Sequence, residues 1–164
     1  MKNGLVIADA GPIFSLGIVD KLDLLNKLFD DIKIPRAVWE EITLHKNTTY
    51  HKDVYEFFAN KIVDIKGFNE LTFLMDYGES EAVILYKEEE ANYLLIDDKK
   101  ARRIAENFGI NCIGTIGLLL ISKEKGLINE LRPLFSEFLR NKRFYSINML
   151  NKLLIEKNEN PLSY

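Results

Sequence analysis

Five short runs rich in Val, Ile and Leu constrain the fold more than any other feature of the chain: Leu5 to Ala8, Asp31 to Ile34, Lys61 to Ile65, Tyr93 to Ile96 and Asn111 to Ile113. Each is a strand candidate, and the segments between them carry helical rather than hairpin spacing. The helical sets are Ala37, Val38, Glu41 and Ile42; Val54, Tyr55, Phe57 and Phe58; Ala82, Val83, Leu85 and Tyr86; and Ala101, Ile104, Ala105 and Phe108. In the last set the i, i+3, i+4, i+7 pattern is ringed by Lys99, Lys100, Arg102, Arg103 and Glu106, which makes an amphipathic helix. Strands joined by helical crossovers form a mostly parallel sheet covered on both faces. The expected fold is therefore a three-layer α/β/α sandwich.

After Gly114 only helical patterns remain: Ile116 to Lys125, then Leu127 or Pro133 to about Arg140, then about Ser146 to Ile155. A chain of 164 residues is the size of one domain. We place that domain at residues 1–156 and expect the tail 157–164, with Pro161 and few apolar residues, to fray.

In open parallel sheets, ligands bind beyond the carboxyl ends of the strands, so acids placed there call for a functional reading. Asp9 follows "LVIA" and Asp97 with Asp98 follows "YLLI", which puts these carboxylates on one edge of the sheet. Two further acids have a route to it. The segment "IPRAVWEEI" starts a helix at Pro35 whose apolar face, Ala37, Val38 and Ile42, also carries Glu41, while Glu40 points elsewhere. In "DYGESEAVILY" a turn at Gly78 precedes a helix whose first turn holds Glu79, Ser80 and Glu81.

Taken singly, each acid has a structural explanation. Asp9 and Asp98 suit turn or N-cap positions, Glu41 suits a half-exposed helix face, and Glu79 and Glu81 complement a helix dipole. Their conjunction points further. Buried carboxylates that converge without cationic partners require a cation, and an all-oxygen donor set favours Mg²⁺ or Mn²⁺ over zinc. His45 and His51 lie in the polar stretch "LHKNTTYHKD" and read as solvated rather than ligating. Carboxylate-held Mg²⁺ is the equipment of phosphodiester hydrolysis.

The net charge of −3 attracts no polyanion by itself, so a nucleic acid has to be met by metal ions or a local basic patch. The single cysteine, Cys112, sits in the apolar run "INCIG" and reads as a small buried hydrophobe. It cannot form an intrachain disulfide, which suits a reducing compartment. No basic and apolar leader opens the chain, and its longest apolar stretch, Gly114 to Ile121, is far shorter than the ~20 residues of a membrane span. A cytoplasmic location is expected.

The words "IADAGPIFSLGIVDKLDLL", "IPRAVWEEI", "DYGESEAVILYKEEEANYLLIDDKKARRIAENFGI", "IGTIGLLLISKEKGLI" and "LRPLFSEFL" occur in an order that resembles the PIN domain over nearly the whole chain. PIN domains are small metal-dependent nucleases found in prokaryotic toxin–antitoxin pairs and in RNA processing. The resemblance implies an α/β/α sandwich whose acidic pocket binds divalent ions, Mg²⁺ or Mn²⁺, and cuts RNA. Carried over, the first-strand acid is Asp9 and the second-helix acid is Glu41. The third lies in "GESEA", with Glu79 ranked above Glu81, and the fourth in "IDD", with Asp97 ranked above Asp98.

The family commonly carries Ser, Thr or Asn two residues after its first acid, where this chain has Gly11. That substitution favours an alternative: a PIN-like module that binds RNA or a protein partner with little or no cleavage. Gly11 and Pro12 also suggest a tight turn into the first helix. Lys99, Lys100 and Arg103, with Arg102, are candidate phosphate contacts. Arg140, Lys142 and Arg143 beside Phe144 and Tyr145 form a second candidate patch. The resemblance further implies an antitoxin protein partner and a homodimer, with no membrane association. A receiver-type domain also gathers strand-end acids around Mg²⁺, but it requires a lysine after the last strand, where "CIGTIG" stands.

Overall fold

In a computed structural model, which describes residues 2–163, the five apolar runs become five parallel strands. These are β1 (Leu5–Ala8), β2 (Asp31–Pro35), β3 (Ile62–Val63), β4 (Tyr93–Leu95) and β5 (Cys112–Ile113), in the sheet order β3-β2-β1-β4-β5. The helices between them are α1 (Ala10–Ile18), α2 (Asp23–Leu28), α3 (Arg36–Leu44), α4 (His51–Phe58), α5 (Tyr77–Glu88) and α6 (Lys99–Asn107). They are followed by α7 (Thr115–Glu124), α8 (Arg132–Arg140) and α9 (Ile147–Glu156). The fold is the expected α/β/α sandwich.

Strand alternation sorts the sheet residues between its faces. Ile7, Leu94 and Ile96 join Ala82, Val83 and Leu85 of α5 and Ala101 and Ala105 of α6 in one buried cluster. Val6, Ala8 and Leu95 have the opposite parity and are equally buried, as a sheet covered on both faces requires. The strand order reverses between β1 and β4: the chain runs outward through β2 and β3, then returns to build β4 and β5 on the other side. This is the position at which open α/β sheets leave a crevice at their carboxyl edge. The crevice is stitched at its base by the Asp9 N–H, which donates to the Leu95 carbonyl at 2.9 Å.

Several local expectations are corrected. Pro35 ends β2, paired with Val63, and acts as the N-cap of α3 in extended conformation, so the helix starts one residue later. Gly11 and Pro12 form no turn: both lie in the first turn of α1, where proline needs no N–H partner. Gly78 likewise lies inside α5, which Asp76 starts with a reciprocal capping box to Glu79. His51 is not a solvated loop residue. It opens α4 beside the Tyr55 ring, at 6.1 Å, and its Nε2 is buried without a hydrogen-bond partner. His45 ends α3, with its ring edge-on to Phe14 at 6.2 Å.

The chain forms two compact units, one reaching Thr115 and the other starting at Ile116. The whole sheet belongs to the first. In the second, Phe135 and Phe138 of α8 stack at 6.5 Å, and Leu150 and Leu154 form the buried stripe of α9. The tail expected to fray is tied down within that unit, because its polar groups find specific partners. The Glu159 carboxylate accepts the N–H groups of Leu131 and Arg132, at 2.9 and 2.8 Å, at the start of α8, and pairs with Lys123. Leu162 exchanges two hydrogen bonds with the Asn151 amide. Among the described residues, no helix is long and apolar enough to cross a membrane.

Candidate functional site

Asp9 is the first residue past β1 and occupies the N-cap position of α1, yet its side chain makes no cap hydrogen bond. Its carboxylate is therefore not explained by helix capping. The residue is only 7% exposed. Burial drives its pKa well above the ordinary carboxylate range, a hydrogen bond with the Ala10 backbone opposes this, and the charges of Glu79, Glu41 and Asp76 push it higher still. The structure thus gathers Asp9, Glu41 and Glu79 with Asp76, which the sequence reading did not single out. The signal was present: "DYGE" has the D-x-x-E spacing of a capping box ahead of an apolar run.

The four acids come from three elements. Glu41 extends from α3, which packs beside α5, and its Oε2 lies 3.0 Å from where a Cβ on Gly78 would stand. Asp9 Oδ1 lies 3.7 Å from the same point. Glu41 is an exposed residue, yet partial burial, reinforced by Asp76, raises its pKa, with His45 acting in the opposite sense. Glu79 donates its backbone N–H to Asp76 Oδ1 at 3.1 Å and accepts the Asp76 N–H at 3.3 Å. Burial first, and the Asp76 charge next, lift its carboxyl to about 7.

The two ranked pairs separate on geometry. Glu81, 5% exposed, turns to the start of α3, where its Oε2 accepts the Ala37 N–H at 2.8 Å. It buttresses the helix that carries Glu41. Glu81→Ala strands that buried N–H and is expected to cost about 1–3 kcal/mol, whereas Glu81→Gln keeps an acceptor and should unfold near the wild-type denaturant midpoint. Chemical denaturation of both variants checks this.

Asp97 is held by Thr115, whose N–H reaches Oδ1 and whose hydroxyl reaches Oδ2, each at 2.7 Å. Thr115 is fully buried, and its only signal in the sequence is a hydroxyl placed just after the last strand. Asp98 caps α6 by accepting the Ala101 N–H at 2.8 Å, yet its charge is among those that raise Glu79. Asp98, the lower-ranked member of this pair, is thus electrostatically joined to Glu79.

Lys99, Lys100 and Arg103 are exposed on α6. Arg102 is half-buried, and its guanidinium and the Asp97 carboxylate both crowd the open side of Gly114. In the second unit Phe144 is fully exposed, while Tyr145 packs on Phe138 at 5.0 Å and Arg140 pairs with Glu137 at 2.8 Å. Cys112 is half-buried, and burial raises its thiol to about 11, so it stays protonated.

Among the described residues, no three His, Cys, Asp or Glu side chains stand close enough to hold a metal ion on their own. The donor set nevertheless fits a hydrated hard cation. Mg²⁺ characteristically keeps several waters and takes only one or two protein carboxylates. Asp9 and Glu41 border a cradle that a Cβ at position 78 would fill, and the raised carboxyls around it are those a cation would return to the ionised form.

A family model described as a PIN domain matches residues 5–159. No curated protein matches the chain.

Proposed function

The chain belongs to the PIN-domain family, a nuclease-type fold, and from that premise we propose that it is a divalent-metal-dependent ribonuclease. The observation that supports this best is Asp9: a buried carboxylate, unused as a helix cap, that shares the crevice beside β1 and β4 with Glu41, Glu79 and Asp76. Asp9 and Glu41 would hold the ion, Mg²⁺ or Mn²⁺, with Glu79 beside them and Asp97 and Asp98 at the end of β4. When bound, the ion supplies Lewis-acid stabilisation of the oxygens at the scissile phosphodiester.

The chain's own groups do the rest. The Asp76 backbone N–H orients Glu79 through Oε2. That leaves the other oxygen of Glu79 to accept or return a proton. Thr115 fixes both oxygens of Asp97. Lys99, Lys100 and Arg103, on the helix that follows these acids, bind RNA phosphates. Family membership is the support for the wider role we assign, a cytoplasmic toxin held in check by an antitoxin protein and acting as a homodimer.

A second reading, a PIN-like module that binds RNA without cutting it, is favoured by Gly11 and by the lack of a closed three-residue ligand group among the described residues. Incubation with single-stranded RNA separates the two. The nuclease reading expects fragments that appear with Mn²⁺ or Mg²⁺ and disappear with chelator. Intact RNA retained on the protein under all conditions favours the module.

A further inference from the structure

Gly78 is buried in the first turn of α5, and its φ is not positive, so no left-handed conformation accounts for the glycine. Glycine is poorly favoured within helices, and its usual justification elsewhere is close approach by another group. The groups that approach here are two carboxylates and one methyl. A Cβ would meet Glu41 Oε2 at 3.0 Å, Asp9 Oδ1 at 3.7 Å and Val38 Cγ2 at 3.7 Å. The contacts with Asp9 and Val38 would be ordinary, and only the Glu41 carboxylate would have to give way. A small residue needed merely to let α3 and α5 pack would be crowded by backbone or aliphatic atoms, not by the flexible end of an acid.

From this placement we infer that Gly78 holds open the seat of a divalent cation between the Asp9 and Glu41 carboxylates, so that the residue at position 78 decides whether the site takes the ion. The inference rests on the metal-dependent reading above and goes beyond it by assigning the site's access to a residue with no side chain. An alanine would occupy the space between the two acids and displace the Glu41 carboxylate by a few tenths of an ångström. It would leave the helix itself better formed.

The test is Mn²⁺ binding to the full chain by titration calorimetry and by the electron paramagnetic resonance of free Mn²⁺, with thermal melts in chelator alongside. Gly78→Ala is expected to weaken Mn²⁺ binding at least ~10-fold, the scale of a disturbed ligand shell, while the metal-free melting temperature stays level or rises. A double-mutant cycle guards against a trivial folding defect. In a Glu41→Ala background, where the contact is gone, adding Gly78→Ala should change Mn²⁺ affinity less than about twofold.

Undiminished Mn²⁺ binding by Gly78→Ala, or an equal loss in both backgrounds, overturns the inference and leaves the metal-dependent reading standing. A wild-type chain that takes up no Mn²⁺ removes that reading and the inference together.

Discussion

Asp9→Asn is expected to lower metal-dependent RNA cleavage by roughly 100- to 1,000-fold, the cost of losing one electrostatic contact aimed at the reacting centre. The same change should raise the melting temperature of the metal-free protein by a few degrees. Both effects have one cause. Asp9 is nearly inaccessible to water, makes no cap bond and faces the charges of Glu79, Glu41 and Asp76. Holding a carboxylate there destabilises the empty fold. Asparagine has almost the same shape and can still accept the Ala10 N–H, but it brings no charge to the crevice. A cleavage assay with Mn²⁺ and a melt in chelator read the two effects separately. Unchanged cleavage by the pure variant would remove Asp9 from the site.

The same electrostatics set a second expectation, for stability against pH. Glu79 titrates near 7 in the folded chain against an ordinary value of 4.5. Between those values the folded state holds a proton that the unfolded state has released. Stability therefore falls as pH rises through this window and levels off above it. Asp9 and Glu41, also raised, act with the same sign. Glu159 acts oppositely: against the effect of its burial, the Leu131 and Arg132 N–H groups and Lys123 hold it below 4.5, so its contribution is lost as pH drops below that value.

The metal-free protein should thus melt highest near about pH 5 and several degrees lower near about pH 8, in the manner of linked protonation. Saturating Mg²⁺ or Mn²⁺ should flatten the slope, because the cation replaces the protons. A metal-free melting temperature that climbs from about pH 5 to about pH 8 would contradict the clustering of these acids.

Much of the fold was legible because the strands are short, rich in Val, Ile and Leu, and separated by clear helical periods. All five appear where Val, Ile and Leu concentrate. The errors fall where several structures share one local pattern. Pro35 satisfies both a strand end and a helix start, and Gly78 reads as a turn until the capping box beginning at Asp76 is noticed. The tail 157–163 looked unable to pack because its anchors are polar. Glu159 contributes through three specific partners, which hydropathy does not register.

The acids show the same limit. Asp9 stands out in the sequence as a carboxylate ending an apolar strand, but its burial and its lack of a cap bond do not. The different surroundings of Asp97 and Asp98 were not legible, because neighbouring residues on an extended chain point opposite ways and their partners lie far along the sequence or in the next helix. Thr115 takes one of them and the α6 backbone takes the other. Glu81 illustrates a converse case: a motif acid whose carboxylate serves a neighbouring helix.

The capping box at the start of α5 has a consequence for how such a site decays. Asp76 and Glu79 hold each other's backbone N–H groups, and Glu81 holds that of Ala37, so each is retained by the needs of a helix whether or not any RNA is cut. Glu41 carries no such second duty among the described contacts, and the one Asp9 carries, at the Ala10 N–H, asparagine can fulfil without the charge. In a descendant freed from selection on chemistry, these two would drift first, leaving a chain that still displays most of the family's acids. The count of surviving carboxylates is therefore a poor gauge of activity in such a lineage, and the identity of residues 9 and 41 is a better one.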